Sequence, residues 1–260
     1  MIDIDFYNYV ERDFGNGIKQ YKIFNYGIAQ NFSKPKVKNE NITIKSKTIR
    51  DIISLHKHSV ITSQLRAKKM VYDLARCNEW EYFITFTFNP DKINSFDYDE
   101  TSKAMSKWIK NNKYRHAPDM RYVIVPELHK SGRYHFHGMF SNMGSIKFVD
   151  SGKKDKSDRV IFNVGNYKLG FTTATQISSS NATALYIGKY ITKELSAEIK
   201  YKKRYWRSRN LNEPIVKKSV LDSTERMMEL DLISKCSWKK EIVQHFGSFE
   251  RHVTIYEIRE

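Results

Sequence analysis

The stretch Tyr134-His135-Phe136-His137-Gly138-Met139-Phe140, YHFHGMF, sets two histidines two residues apart in an otherwise apolar run. In a β-strand, residues i and i+2 point to the same face, so both imidazoles would look the same way. Upstream, Arg121 to Glu127 has the composition of a partner strand, and Lys130-Ser131-Gly132 offers a three-residue hairpin loop. Glycine stands in the third loop position, where a type I turn with a bulge needs positive φ. That loop pairs His129 with Arg133, Leu128 with Tyr134 and Glu127 with His135, and directly opposed residues share a face. Glu127, His135 and His137 then converge on one side of the sheet. A two-residue loop would instead turn Glu127 to the other side. His129 lies on the same face nearer the turn, as a further ligand or a phosphate contact.

Two imidazoles and a carboxylate suit a divalent ion with open coordination positions, such as Mn²⁺, Mg²⁺ or Zn²⁺. Open positions are what a phosphodiester oxygen needs if it is to be polarised. The bland alternative is a pair of polar residues on the wet side of a half-buried strand. A second pair of the same spacing, His56-Lys57-His58, has a charged middle residue and no alternating strand around it, and reads as solvated surface.

Working outward, residues 6–30 hold two aromatic and β-branched stretches split by Gly15-Asn16-Gly17, the pattern of a hairpin. Residues 33–47 are polar and basic, a loop or an edge strand. Apolar residues at helical spacing from Ser59 to Arg76 predict an amphipathic helix stopped at Asn78. Tyr82 to Phe88, YFITFTF, is a strand ended by Asn89-Pro90. Residues 97–112 are helical, with Met105, Trp108 and Ile109 as the buried stripe. A long exposed connection is expected over 141–158 and a strand pair over 159–177. Asn181 to Ser196 reads as a helix, as does 221–245, with a last strand at Val253–Ile258.

In the helix LYIGKYITKEL, residues 185–195, Tyr186, Lys189, Tyr190 and Lys193 fall on one face at 100° per residue. A phenol with a pKa near 10 is a poor nucleophile at pH 7, and a lysine one turn away favours phenolate. An exposed helix with packed rings and solvated ammonium groups is the alternative. Just beyond it, KYKKRYWRSR (200–209) interleaves Lys200, Lys202, Lys203, Arg204 and Arg207 with Tyr201, Tyr205 and Trp206, the mixture that holds single-stranded nucleic acid. A solvated charge run is the alternative there.

Across 260 residues, 45 Lys and Arg face 29 Asp and Glu, a net charge of +16 that favours a polyanionic partner. The start, MIDIDFYNYVERDF, has early acids and no apolar core, so no secretory signal is expected. No apolar run reaches the ~18 residues of a membrane span. Two distant cysteines, Cys77 and Cys236, fit a reducing cytoplasm.

A strand like FITFTFNP, a histidine hairpin PELHKSGRYHFHG and a helix LYIGKYITKE, in that order over residues 82–195, resemble the HUH endonucleases. More narrowly they resemble double-tyrosine rolling-circle replication initiators of single-stranded DNA phages and small plasmids. The resemblance implies an α+β fold with a central antiparallel β-sheet (ferredoxin/RRM-like) flanked by helices, carrying N- and C-terminal extensions. It implies His135 and His137 as metal ligands with Glu127 third, Mn²⁺ or Mg²⁺ as cofactor, Tyr186 and Tyr190 as nucleophiles, and Lys189 and Lys193 as their assistants. Residues 1–58 would form an N-terminal extension, 59–200 the endonuclease core and 201–260 a C-terminal DNA-binding extension. Lys200, Lys202, Lys203, Arg204, Tyr205, Trp206 and Arg207 would be its contacts to DNA. The implied function is site-specific nicking and rejoining of origin DNA in the cytoplasm of a bacterial host, through a 5′-phosphotyrosine. A relaxase, a transposase or a non-catalytic DNA-binding regulator are the rivals. No Gly-x-x-x-x-Gly-Lys-Ser/Thr run is present, so unwinding would fall to a host helicase and synthesis to a host polymerase.

Overall fold

The computed structural model describes residues 6–29, 49–178, 187, 202–221, 226–246 and 249–259, with backbone alone for 49–61, 226–230, 246 and 249. In chain order the elements are β1 (Phe6–Asp13), β2 (Ile18–Ala29), α1 (Ile49–Cys77), β3 (Tyr82–Phe88), α2 (Tyr98–Arg115), β4 (Arg121–Leu128), β5 (Tyr134–Ser141), β6 (Phe148–Lys154), β7 (Val160–Val164), β8 (Gly170–Gln176), β9 (Trp206–Arg207), β10 (Ile215–Ser219), α3 (Arg226–Lys235), β11 (Trp238–Phe246) and β12 (Phe249–Arg259). They form an α+β fold with two antiparallel sheets. The chain divides into two units, one of residues 47–212 and one joining 1–46 to 213–260.

The larger unit is built on a seven-stranded sheet of order β6-β7-β8-β3-β5-β4-β9. Alternation in β3 sends Ile84, Phe86 and Phe88 to one face and Phe83, Thr85 and Thr87 to the other. On the first face these residues join Ile124, Phe136, Phe140 and the α2 stripe Met105, Trp108 and Ile109 in one core. The second face carries a smaller cluster of Val123, Val125 and Met139 under Ala67, Val71, Leu74 and Ala75 of α1. Asp97 caps α2 by accepting from the backbone N–H groups of Asp99 and Glu100. Asn78 stops α1 as expected, its side-chain amide donating to the Leu74 carbonyl at 2.9 Å. That helix begins at Ile49, ten residues before the periodicity is legible, and carries His56 and His58 within it.

The smaller unit is a five-stranded sheet of order β10-β1-β2-β12-β11. The expected N-terminal hairpin is present, with Val10 opposite Lys22. Two expectations need correction. The segment 141–158 is not wholly a loop, because β6 occupies 148–154; mostly exposed on both sides, it has no hydrophobic alternation to announce it. The helix expected over 221–245 ends at Lys235, and 238–246 forms β11, paired throughout with β12. Residues 33–47 and the predicted helix over 181–196, Ile187 apart, lie outside the described residues. No described helix is long and apolar enough to cross a membrane.

Candidate metal and nucleic-acid site

The β4–β5 hairpin closes through the loop that the glycine position predicts. The His129 N–H donates to the Arg133 carbonyl at 2.8 Å, the Gly132 N–H donates to the His129 carbonyl at 2.8 Å, and Gly132 has φ +79°. Register follows: Glu127 opposes His135, and Leu128 opposes Tyr134. His135 and His137 therefore share the sheet face of Val123, Val125 and Met139. Gly138 is required by the opposite face, where a Cβ would stand 2.6 Å from Cε2 of Phe140 and 2.9 Å from Cγ1 of Ile124. The glycine lets β5 lie close to the aromatic core while its neighbours carry the polar work.

Glu127 and His137 are in direct contact, Oε2 to Nε2 at 2.6 Å. The other nitrogen of each histidine is held from β3: Thr85 Oγ1 lies 3.0 Å from His137 Nδ1, and Thr87 Oγ1 lies 3.2 Å from His135 Nδ1. This follows from pairing of Thr85 with His137 and Thr87 with His135. The threonines were legible in the sequence only as scaffold. The signal for more was the shared two-residue periodicity of the Thr85-Phe86-Thr87 and His135-Phe136-His137 runs, which sets hydroxyl beside imidazole twice. One strand further out, Phe171 opposes Thr87 on the same face and is 60 % exposed.

Burial lowers the pKa of His135, reinforced by the neighbouring His137 and His129, so the ring is uncharged at neutral pH. For Glu127 burial acts to raise the pKa. The His137 hydrogen bond and the charges of His137, His135 and His129 outweigh it and hold the carboxyl below its ordinary range. The His129 ring lies 5.2 Å from that of His135, with Nδ1 at 2.9 Å from Ser131 Oγ. Among the described residues, no group of three or more His, Cys, Asp or Glu side chains converges as a ready-made metal cage. The donor set nonetheless fits a divalent cation in chemistry: both Nδ1 atoms are turned to threonine hydroxyls, and the Glu127 carboxylate already meets a histidine Nε2.

Of the proposed nucleophile segment, Ile187 is described. It is helical and fully buried in the cluster of Val71, Val123, Val125 and Met139, on the histidine face. Tyr186, Lys189, Tyr190, Lys193 and Lys200 lie outside the described residues.

The basic aromatic stretch is not a uniform exposed run. Lys202 pairs with Asp99 at 3.0 Å, and the Tyr98 hydroxyl donates to the Lys203 carbonyl. Arg204 is buried, with Nε donating to Ser63 Oγ at 3.3 Å. Trp206 is 4 % exposed, packs on Phe136 and donates from Nε1 to Ser106 Oγ at 3.1 Å. Tyr205 is half-buried against the second cluster, while Lys203 and Arg207 are exposed. The ring of Trp206 thus serves the core. Trp206→Ala is expected to cost about 3–5 kcal/mol of stability, as loss of a buried indole does. Urea unfolding measures it; a loss of DNA affinity without a stability loss would contradict this role.

Residues 81–195 match a family model of replication-associated proteins, the ORF2 family. The matched span runs from the start of β3 through the tyrosine-bearing segment, and it supports a role in the initiation of DNA replication. No curated protein and no solved structure gives a significant match to this chain.

Proposed function

We propose that the protein starts rolling-circle DNA replication by nicking and rejoining one strand of origin DNA. The observation that carries this reading is the common sheet face of Glu127, His135, His137 and Ile187, the last flanked in sequence by Tyr186. In the reaction, a tyrosine phenol loses its proton and its oxygen attacks a backbone phosphorus. The bond from phosphorus to the 3′ oxygen breaks, the 3′ oxygen takes up a proton, and the 5′ phosphate stays on tyrosine. One phosphodiester replaces another, so little free energy is lost and the reverse step rejoins the strand. Lys189 and Lys193 stabilise phenolate and the charge gathering on phosphate. Mn²⁺ or Mg²⁺ held by His135, His137 and Glu127 would polarise the phosphate oxygens.

The threonines complete this reading. A hydroxyl both donates and accepts, so Thr85 can serve His137 in either tautomer as Nε2 exchanges its proton for a ligand bond. Outer partners of this kind orient ligating imidazoles, and Thr85→Val is expected to weaken Mn²⁺ binding about tenfold or more with little change in stability. Isothermal calorimetry reads the first and thermal unfolding the second. Equal Mn²⁺ affinity in the valine variant would remove the threonine from the site.

The direct test of the function is incubation with single-stranded DNA from its own replicon and Mn²⁺. A covalent protein–DNA adduct that resists denaturation, with a free 3′-hydroxyl on the released piece, is expected. DNA binding with no adduct at any cation concentration would favour a non-catalytic regulator. A relaxase or transposase of the same chemistry would give the adduct on transfer-origin or element-end DNA instead.

A further inference from the structure

On the sheet face away from the histidines, a groove of about 860 Å³ runs between the C-terminal half of α2 and the β4–β9 edge. Lys110, Lys113, Arg115 and Lys203 supply cations to it, and Tyr114 and Tyr122 supply rings. No acidic side chain is among the described residues that line it. Lys113 and Arg115 lie in the last turn of α2, where cations also stabilise the helix dipole. That accounts for neither Lys110 nor Lys203, which come from an earlier turn and a different element. It also leaves unexplained Tyr114, which holds its ring 86 % exposed beside them.

The groove is continuous with the histidine face through the edge strand β9. Trp206 opposes Ile124 and belongs to the α2-side core, whereas Arg207 opposes Val123, a residue of the histidine-face cluster. Tyr205 packs into that same cluster, and the Lys203 ammonium sits 5.1 Å from the Trp206 ring on the other side. Residues 203–207 thus set cations and rings alternately on both faces of one sheet edge.

We propose that this groove binds single-stranded DNA, as the outlying part of a strand that rounds the β9 edge to reach the histidine face. Cations on phosphates with rings on unstacked bases are the chemistry of single-strand binding. A duplex, with its bases stacked inside, would leave Tyr114 without a partner. The inference rests on the reading that the chain handles single-stranded DNA, and it adds a second contact surface distinct from the nicking site.

The test uses the full chain and a fluorescent oligodeoxythymidylate of about thirty nucleotides, longer than a single stacking platform needs. Measurements are made without divalent cation and in the His135→Ala background, so that no outcome depends on nicking. Combined Lys110→Gln, Lys113→Gln and Arg115→Gln is expected to lower affinity about tenfold and to flatten the log–log salt slope by about two, at roughly 0.7 per phosphate contact. Tyr114→Ala should weaken binding, and Tyr114→Phe should restore it. A 4-thiothymidine version of the probe should crosslink within residues 110–115. Unchanged affinity and slope in the triple variant, or crosslinks confined to the histidine face, would overturn the groove while leaving the nicking reading intact. Loss of nicking with groove binding preserved is the opposite failure.

Discussion

His135→Ala and His137→Ala each lose strand cleavage by about three orders of magnitude or more, equivalent to about 4 kcal/mol of transition-state stabilisation. Both keep single-strand affinity within about threefold, because phosphate contacts from the basic surface supply most of the binding energy. The two variants are expected to differ in stability. His137 is 5 % exposed and joined to both Glu127 and Thr85, so its removal leaves a carboxylate and a hydroxyl short of one partner each. His135 is half-buried, and its loss is milder. Gel assays of cleavage and anisotropy of binding separate the two effects. Normal cleavage by both variants in chelator-treated buffer would remove the histidine pair from the chemistry.

The second large effect concerns the tyrosines. On a helix, residues four apart differ by about 40° around the axis and about 6 Å along it, so small movements could offer either hydroxyl to one phosphate. Rolling-circle synthesis requires a second cleavage when the origin is regenerated, while the first tyrosine still carries DNA. Tyr186→Phe and Tyr190→Phe are each expected to retain single cleavage but to release no unit-length circles, and the double variant to retain no cleavage. Mass spectrometry of the covalent peptide decides it. An adduct at one position alone, even late in replication, would assign the other tyrosine to packing or DNA contact.

The hairpin was legible in the sequence because its determinants are local. A glycine in the positive-φ loop position sets the register, and register alone places Glu127 against His135. β3 and α2 were equally open to reading, since a two-residue alternation and an apolar stripe with an aspartate cap each act over a few residues. What escaped were features that depend on distant partners. Thr85 and Thr87 gain their role only when β3 lies beside β5. Trp206 looked like a base-stacking ring among cations, yet β9 pairs with β4 and turns the indole into the core. β10 and β11 are short on alternation and rich in lysine, and their strand state comes from the neighbours they pair with rather than from their own composition.

The five-stranded sheet has a consequence for how the chain folds during synthesis. Its β1 bonds to β10, and the Asn8 amide donates to the Leu221 carbonyl, across 213 residues of sequence. The ribosome therefore releases the β1–β2 hairpin long before its partners exist, and at ~5–20 residues per second the wait is about ten seconds or more. An isolated two-stranded hairpin is marginal in water, so its apolar side must stay shielded in that interval. Meanwhile the whole of 47–212 emerges as one uninterrupted segment. The nuclease-like unit is thus free to form first, and the smaller unit closes last, as a seam joining the earliest and latest parts of the nascent chain.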